Sequence, residues 1–532
     1  VTTVDAVVVG AGHNGLVAAN LLADAGWDVL VCEAADAPGG AVRSAEITAP
    51  GFVSDVFSAF YPLGAASPVL RELDLGRHGL RWCHAPAVLA HVTPDDRCAV
   101  LSRDIDTTAG GLDAWASGDG DAWRALVAQW RHIRDPLLET VLRPFPPVRA
   151  GARLLRELGT ADALRFARML VQPVTRFARE TFTGDGAALL LGGNALHTDL
   201  GPDEAGSAVF GWLLSMLGQD VGFPVPEGGA GRLTDALVSR ATARGVTVDC
   251  GRPVRRVLVA GGRAVGVRDA DGVAVRARRA VLADVAAPIL YRDLVGEEHL
   301  PSRFVADLDR FRWDAATVKI DWALDGPVPW TAEGARGAGT VHLGVGVDGL
   351  RGYAADLAAG RVPREPFVLF GQMTTADPTR SPAGTESAWA YTHVPRDLGW
   401  TADDVRAHTD LVEAAVERNA PGFRDLVRAR SIAGPADMQR RNPSLVDGAV
   451  NAGTAAIHQQ LVFRPVPGTA RADTPVDRLF LAGASAHPGG AVHGGPGANA
   501  ARAALAASGP AGPLYRTLVH AVHRRTHPPG PA

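Results

Sequence analysis

The feature that most restricts this chain is a glycine-rich turn set between a short apolar strand and a helix. Residues 4–9, Val-Asp-Ala-Val-Val-Val, read as a parallel strand covered on both faces, because the apolar run hardly alternates. Gly10-Ala11-Gly12-His13-Asn14-Gly15 then reads as a loop. Leu16 to Ala25 reads as a helix closed by Gly26, and Val29 to Cys32 as a second strand ending at Glu33. G-x-G-x-x-G carries weight only in this βαβ setting with a following acid. Gly10 permits the tight turn, Gly12 lets backbone approach a diphosphate, and Gly15 lets helix and strand pack closely. The helix N-terminus then offers free N–H groups and a positive dipole end to an anion. Glu33 is placed to accept hydrogen bonds from ribose hydroxyls. Ala11, Asn14 and Ala34 complete this expected dinucleotide contact.

A second glycine pair separates the two common dinucleotides. Pro38-Gly39-Gly40-Ala41-Val42-Arg43-Ser44 follows just past the acid. Gly39 and Gly40 let another backbone segment reach the phosphate–ribityl region, and Arg43 can pair with a diphosphate in a bidentate way. This favours FAD over NAD.

The 532 residues exceed what one domain usually holds, so two packed domains are expected. A hydrophobic fraction of 47% with 21% charged residues suits a globular protein with a large core. A net charge of −4 argues against nucleic acid as a partner. Cys32, Cys83, Cys98 and Cys250 form no C-x-x-C pair, and no His/Glu spacing suggests a metal site. No signal peptide pattern and no apolar stretch of about 18 residues is seen, so a cytoplasmic location is expected.

Helical spacing of apolar residues marks Trp123–Leu142 and Arg149–Phe182, separated by Pro146-Pro147. Eight arginines fall between Arg143 and Arg179. They read as a solvated helical face, or as a surface for peripheral contact with anionic lipid. After Pro224 the α/β pattern returns. A helix is expected over Leu233–Arg244 and strands over Val246–Cys250, Val254–Val259, Ala264–Asp269 and Val281–Ala283. A last strand, Leu479–Ala482, runs into a glycine-rich turn and an Ala-rich helix, Ala498–Ala507. The tail after Pro513 is expected to fray.

These motifs resemble the flavoprotein superfamily that contains bacterial phytoene desaturases and monoamine oxidases. The likeness is strongest to its phytoene-desaturase-like branch with the pyridine nucleotide-disulphide oxidoreductase domain-containing protein 2 family. The residues that carry it are the opening through Glu33, the segment Gln459-Gln460-Leu461-Val462-Phe463-Arg464-Pro465, and the stretch Leu479 to Gly497. The resemblance implies an α/β fold in which a Rossmann-type FAD-binding domain holds an inserted mixed α+β substrate domain. The expected layout is 1–70, 225–300 and 471–510 for FAD, 71–224 and 301–470 for substrate, and 511–532 as a tail. It also implies noncovalent FAD, with Gly483, Ala484, Gly490, Ala491 and Val492 at the ribityl–flavin end and Val254 meeting the adenine by its backbone. The closing helix would aim its N-terminus at the flavin ring and stabilise its anionic reduced form.

The implied reaction removes hydride from a C–C or C–N unit of a small organic substrate, with oxygen or a quinone as electron acceptor. The alternatives are a flavin monooxygenase or a non-catalytic flavin-binding protein. The oligomeric state is left open. Trp212, Met216, Phe223, Trp322 and Trp330 are candidates for the pocket wall, against ordinary core packing. His13, His487 and His493 read as structural. Lys319, the single lysine of the chain, sits in the strand-like stretch Ala316–Leu324. In monoamine oxidase relatives a lysine in such a strand bonds through a water to flavin N5, and the resemblance gives Lys319 that catalytic role.

Overall fold

The computed structural model describes residues 2–343 and 345–528 and builds two seven-stranded sheets with helices around them. In the first sheet, Thr2–Val9 runs parallel to Val29–Cys32 and to Ala274–Ala283, and Thr247–Asp249 lies outside Val29–Cys32. Leu479–Leu481 pairs parallel with the last three residues of Ala274–Ala283. The antiparallel pair Val254–Ala260 and Arg263–Asp269 joins the beginning of that long strand. Both faces of the first strand are covered, which is why its sequence barely alternates. Ala6 and Val8 pack with residues of the helices His13–Asp24, Gly231–Ala243 and Gly495–Ser508. Val7 and Val9 pack on the other side with Leu290, Tyr291 and Phe304.

The second sheet has the order Val427–Ala433, Ala316–Leu324, Glu386–Val394, Val368–Gln372, Ala338–Leu343, Ala87–Val92, Cys98–Leu101. Its pairs are antiparallel except Ala338–Leu343 with Ala87–Val92. Register aligns Lys319, Tyr391, Leu369, His342 and His91 in one row. Asp321, Trp389, Gly371, Thr340 and Leu89 form the next row. Partners in register share a face, as do residues two apart along a strand. One face therefore gathers the polar and aromatic side chains. The opposite face presents Ile320, Trp322, Val341 and Phe370 to Val412, Ala415 and Val416 of the helix Ala402–Asn419.

Three local expectations change. The helix expected from Leu16 begins at His13, with Gly12 as N-cap, since first-turn residues need no backbone partner behind them. The stretch Arg149–Phe182 is not one helix but Val148–Val171 and Val174–Thr181. Pro173 ends the first, and Gly159, at φ 66° and ψ 170°, interrupts it. The tail does not fray after Pro513 but forms a helix, Gly512–Thr526, with Pro513 in its first turn. His523 and His527 are buried, and the His527 ring lies 5.1 Å from that of Phe304. Residues 529–532 of the expected tail lie outside the described residues. Among the described residues no helix is long and apolar enough to cross a membrane.

Candidate active site

A cavity of about 1370 Å³ lies between the glycine turns of the first sheet and the polar face of the second. Gly10, Gly12, Asn14, Glu33 and Ala34 line it, with Gly40 and Arg43. Val254, Ala484, Gly490, Ala491, Val492 and Lys319 also line it. Ala11, Gly15, Gly39 and Gly483 do not; they shape the wall from behind. The Ala11 N–H donates to Glu33 Oε2 at 2.6 Å, and the Gly39 N–H to the Ala11 carbonyl at 2.8 Å. A Cβ on Gly15 would lie 2.2 Å from the Gly10 carbonyl oxygen, and one on Gly483 2.4 Å from that of Val285.

Glu33 ends its strand where the turn of the first motif passes. Its other oxygen accepts the Ala35 N–H at 2.9 Å, so the carboxylate joins two backbone segments at the cavity edge. The Arg252 N–H donates to the Glu33 carbonyl at 2.7 Å, which brings Val254 to this same end.

Asp284, absent from the sequence reading, stands beneath the turn. Its Oδ2 accepts the Gly15 N–H at 2.7 Å and would sit 2.5 Å from a Cβ on Gly12. A signal existed, because Asp284 follows a core strand just as Glu33 does. Burial pushes its carboxyl up to about 7, the Gly15 N–H works against this, and the Glu33 charge adds to it. In an unfolded chain the same acid ionises near 4. Ionised Asp284 therefore disfavours the fold, and its stabilising protonated form is lost as pH rises towards and through about 7. An anion at this helix end meets a neutral acid below that pH and a carboxylate above it. Flavin retention is expected to fall between pH 6 and 8 in the wild type and to stay level in Asp284→Asn. Flavin-to-protein ratios after dialysis at each pH check this; parallel losses in the two proteins would count against it.

At the other glycine turn, side chains fix the backbone. The His493 Nδ1 accepts the Gly495 N–H at 3.0 Å and its Nε2 donates to the Gly490 carbonyl at 3.0 Å. These bonds set one neutral tautomer, and burial holds the ring's pKa down at about 4. The His487 Nε2 donates to the Arg143 carbonyl, so both histidines have structural bonds. A Cβ on Gly490 would meet Asn451 Oδ1 at 2.6 Å. The Asn451 loop is held in turn by Asp314, which accepts the N–H groups of Val450, Asn451 and Gly453. Arg464 donates to the Asn451, Thr454 and Ala484 carbonyls, which ties this loop to the turn.

The cleft carries polar atoms that the protein itself leaves unmatched. His13 Nε2, Asn14 Oδ1, Arg43 Nε and Arg464 Nε are buried without a partner, and all four residues line the cavity. No side chain caps the helix at Gly12. A long anionic ligand with polar groups along its length fits these donors, the Asn14 acceptor and the helix end.

Between the second sheet and the helix Ser207–Asp220 the lining is aromatic and apolar, with Thr317, Lys319 and Thr340 the polar side chains from the sheet. Phe223 borders the cavity, but Trp212, Met216, Trp322 and Trp330 do not. Trp212 and Met216 belong to the core of the helical region, and Trp322 and Trp330 to the layer behind the sheet. For Trp322 the odd–even phase of its strand, and for Trp212 and Met216 the buried face of the helix Ser207–Asp220, decided this, and neither is visible without the partner layer. The aromatic wall is instead Phe60, Trp389 and Tyr391, with Phe210 from the helices. Lys319 and Asp321, each buried, form an ion pair, and the Lys319 ammonium lies 5.7 Å from the Trp389 ring centre. Burial raises the Asp321 carboxyl, and the Lys319 charge opposes that.

A two-motif nucleotide cleft facing an apolar chamber defines a flavoprotein oxidoreductase. Residues 15–505 match the family model described as flavin containing amine oxidoreductase, and the chain belongs to that family. It is an FAD-dependent oxidoreductase. It is 30% identical to pyridine nucleotide-disulfide oxidoreductase domain-containing protein 2 of Mus musculus, over 93% of this chain and 92% of that protein. It is 27% identical to the zeta-carotene-forming phytoene desaturase of Myxococcus xanthus, over 91% and 90% of the two chains. In fold it is similar to an oxidoreductase from Methanosarcina mazei, with a TM-score of 0.62, 15% identity, and 94% and 99% of the two chains covered.

Proposed function

We propose that the protein removes hydride from a C–C or C–N unit of an uncharged, largely apolar organic molecule. The carrying observation is where the acids lie. Among the described residues the carboxylates lining the cavity are Glu33, Asp284 and Asp293. Glu33 and Asp284 belong to the glycine-turn end, and Asp293 to the segment packed against Val254–Ala260. Among the described residues no acid lines the half walled by Phe60, Leu213, Leu214, Leu217 and Trp389, so no carboxylate there would pair with an ammonium group.

FAD, when bound, supplies the two-electron acceptor. Segments 1–70, 225–300 and 471–510 would hold it through the turns, Glu33 and Val254, and 71–224 and 301–470 would wall the substrate. Within the second group, Asn451 and Arg464 reach the cofactor side. Cys32 is the one cysteine lining the cavity among the described residues, beside Glu33, which suits a noncovalent cofactor. The apolar wall excludes water and orients the substrate.

Lys319 has three N–H donors and spends at least one on Asp321, so the others can hold a water at the cavity wall. Its charge there favours electron transfer to oxygen or a quinone. Lys319→Met alone would strand a buried acid at a cost of about 3–5 kcal/mol. The informative variant is Lys319→Met with Asp321→Asn. It should keep its flavin and slow reoxidation or the reductive step by about tenfold, roughly 1.4 kcal/mol of barrier. Stopped-flow rates equal to wild type in both half-reactions would make the pair purely structural.

The Val148–Val171 helix exposes Val148, Leu155, Leu164 and Val171 beside Arg149 and Arg156, which have no acidic partner among the described residues. That mixture supports peripheral contact with anionic lipid from the cytoplasmic side. The deciding experiment for the reaction is anaerobic bleaching of the bound flavin by a panel of polyprenyl compounds, alcohols and amines. Bleaching by uncharged apolar members is expected; bleaching by amines alone would refute the reading.

A further inference from the structure

Beyond Trp389 the cavity wall turns polar, in atoms that the protein does not satisfy. Asn194, 1% exposed, ends the helix Asp185–Ala195 and bonds Ser215 Oγ through its amide at 2.8 Å. Its Oδ1 has no partner. Turning the amide over only exchanges which end is unmatched. Thr340, 2% exposed, has a hydroxyl with no partner at all. His197 bonds His342 Nε2 through its own Nε2 at 2.8 Å. Asn194, His197 and Thr340 all line the cavity.

The fold sets these three groups on neighbouring segments. Thr340 and His342 are two residues apart on one strand, so they share a face. A Cβ on Gly193, the neighbour of Asn194, would lie 2.3 Å from His342 Nδ1. The missing side chain lets the end of the helix press against that face. Burial keeps both His197 and His342 neutral, each ring lowered well below its usual range. A ligand group that pairs with a polar atom the protein leaves unmatched gains a hydrogen bond there.

We propose that Asn194, His197 and Thr340 form a subsite for a neutral hydroxyl of the substrate. The chemistry selects that group. The amide offers one unmatched end, the threonine hydroxyl donates or accepts, and the imidazole is uncharged. A hydroxyl both donates and accepts and so serves the amide and the threonine, with the neutral imidazole beside them. Among the described residues no acid stands beside these three for a cation, and no charged base for an anion. The subsite is separate from the glycine turn. A Cβ on Gly64 would lie 3.1 Å from the Val492 carbonyl, Phe60 is four residues back along that chain, and its ring is 6.1 Å from that of Trp389. Trp389 stands in the same row of the sheet as Thr340. The hydroxyl is thus a recognition handle, with Phe60 and Trp389 standing between it and that turn. This rests on the reading that an uncharged apolar substrate occupies this half of the cavity.

The test uses FAD-loaded protein, anaerobically, with farnesol, its methyl ether and the hydrocarbon farnesene as probes, with binding read by intrinsic fluorescence. Farnesol should bind about tenfold more tightly than farnesene, the effect of one or two net hydrogen bonds. Thr340→Val and Asn194→Leu should each erase that preference while flavin content and farnesene affinity hold. Thr340→Ser should restore it and guards against a folding defect. Equal binding of all probes means an ordered water only and overturns the subsite, as does binding of none or a preference that survives both variants. Bleaching is scored separately. Selective binding without bleaching by any compound sinks the redox reading alone. Bleaching by farnesene with no preference for farnesol sinks the subsite alone.

Discussion

Glu33→Ala is expected to yield a folded protein that purifies without most of its flavin. The carboxylate joins two elements whose positions define the nucleotide end of the cleft. It accepts the Ala11 N–H of the first glycine turn and the Ala35 N–H beyond its own strand. Its place at the cavity edge also leaves it available to ribose hydroxyls. Hydrogen bonds to a charged acceptor are worth about 1.5–3 kcal/mol each. Loss of two or three of them weakens cofactor binding by at least about a hundredfold. The strand itself is secured by its ladder on both sides, Val29 to Cys32 against Ala6 to Val9 and against Thr247 to Asp249, so the fold should persist. Flavin absorbance relative to protein, with circular dichroism for the fold, measures the outcome. A fully yellow variant purified without added FAD would remove Glu33 from the site.

Gly497→Ala should be more damaging, although alanine is the better helix former by about 1 kcal/mol. A Cβ at Gly497 would lie 1.9 Å from the Asn14 carbonyl oxygen and 2.7 Å from its carbon. Those are backbone atoms of the other helix that borders the cleft, and they cannot swing aside. The helices His13–Asp24 and Gly495–Ser508 would have to separate, and both glycine turns would shift with them. Overpacking of this kind costs about 1–3 kcal/mol or more. A lowered melting temperature and poor flavin content are expected together. Gly352→Ala is the matched control. It lies within the helix Val347–Ala358 and nothing is within 4 Å of its Cβ position, so it should be neutral or slightly stabilising. Wild-type stability and flavin content in Gly497→Ala would show that the two helices do not need this contact.

Much of the nucleotide end was legible because its information is local. A buried strand, a turn that demands glycine and a helix start fall within the first 33 residues, and each is dictated by backbone sterics and hydrogen bonding over a few neighbours. The dinucleotide-binding class follows from that stretch, and FAD rather than NAD from the second glycine pair, Gly39-Gly40, with Arg43. Helix ends were less legible where a residue inside the expected run, such as Gly159, broke it. The C-terminal helix was missed because its polar sequence gains its anchorage from Phe304, more than two hundred residues earlier.

What the sequence by itself determined, then, is the first βαβ unit, the glycine turns and the strand carrying Lys319. Tertiary structure alone decided which faces meet. Asp284 reaches Gly15 across 269 positions, and Lys319 meets the Trp389 ring from the neighbouring strand. Trp389 rather than Trp322 looks into the cavity because sheet register and the covering helix settle the direction of alternate side chains. Asn194, His197 and Thr340 carry no common pattern along the chain. They become one site only where a glycine lets a helix end press against a strand, and no local rule encodes a contact between such distant segments.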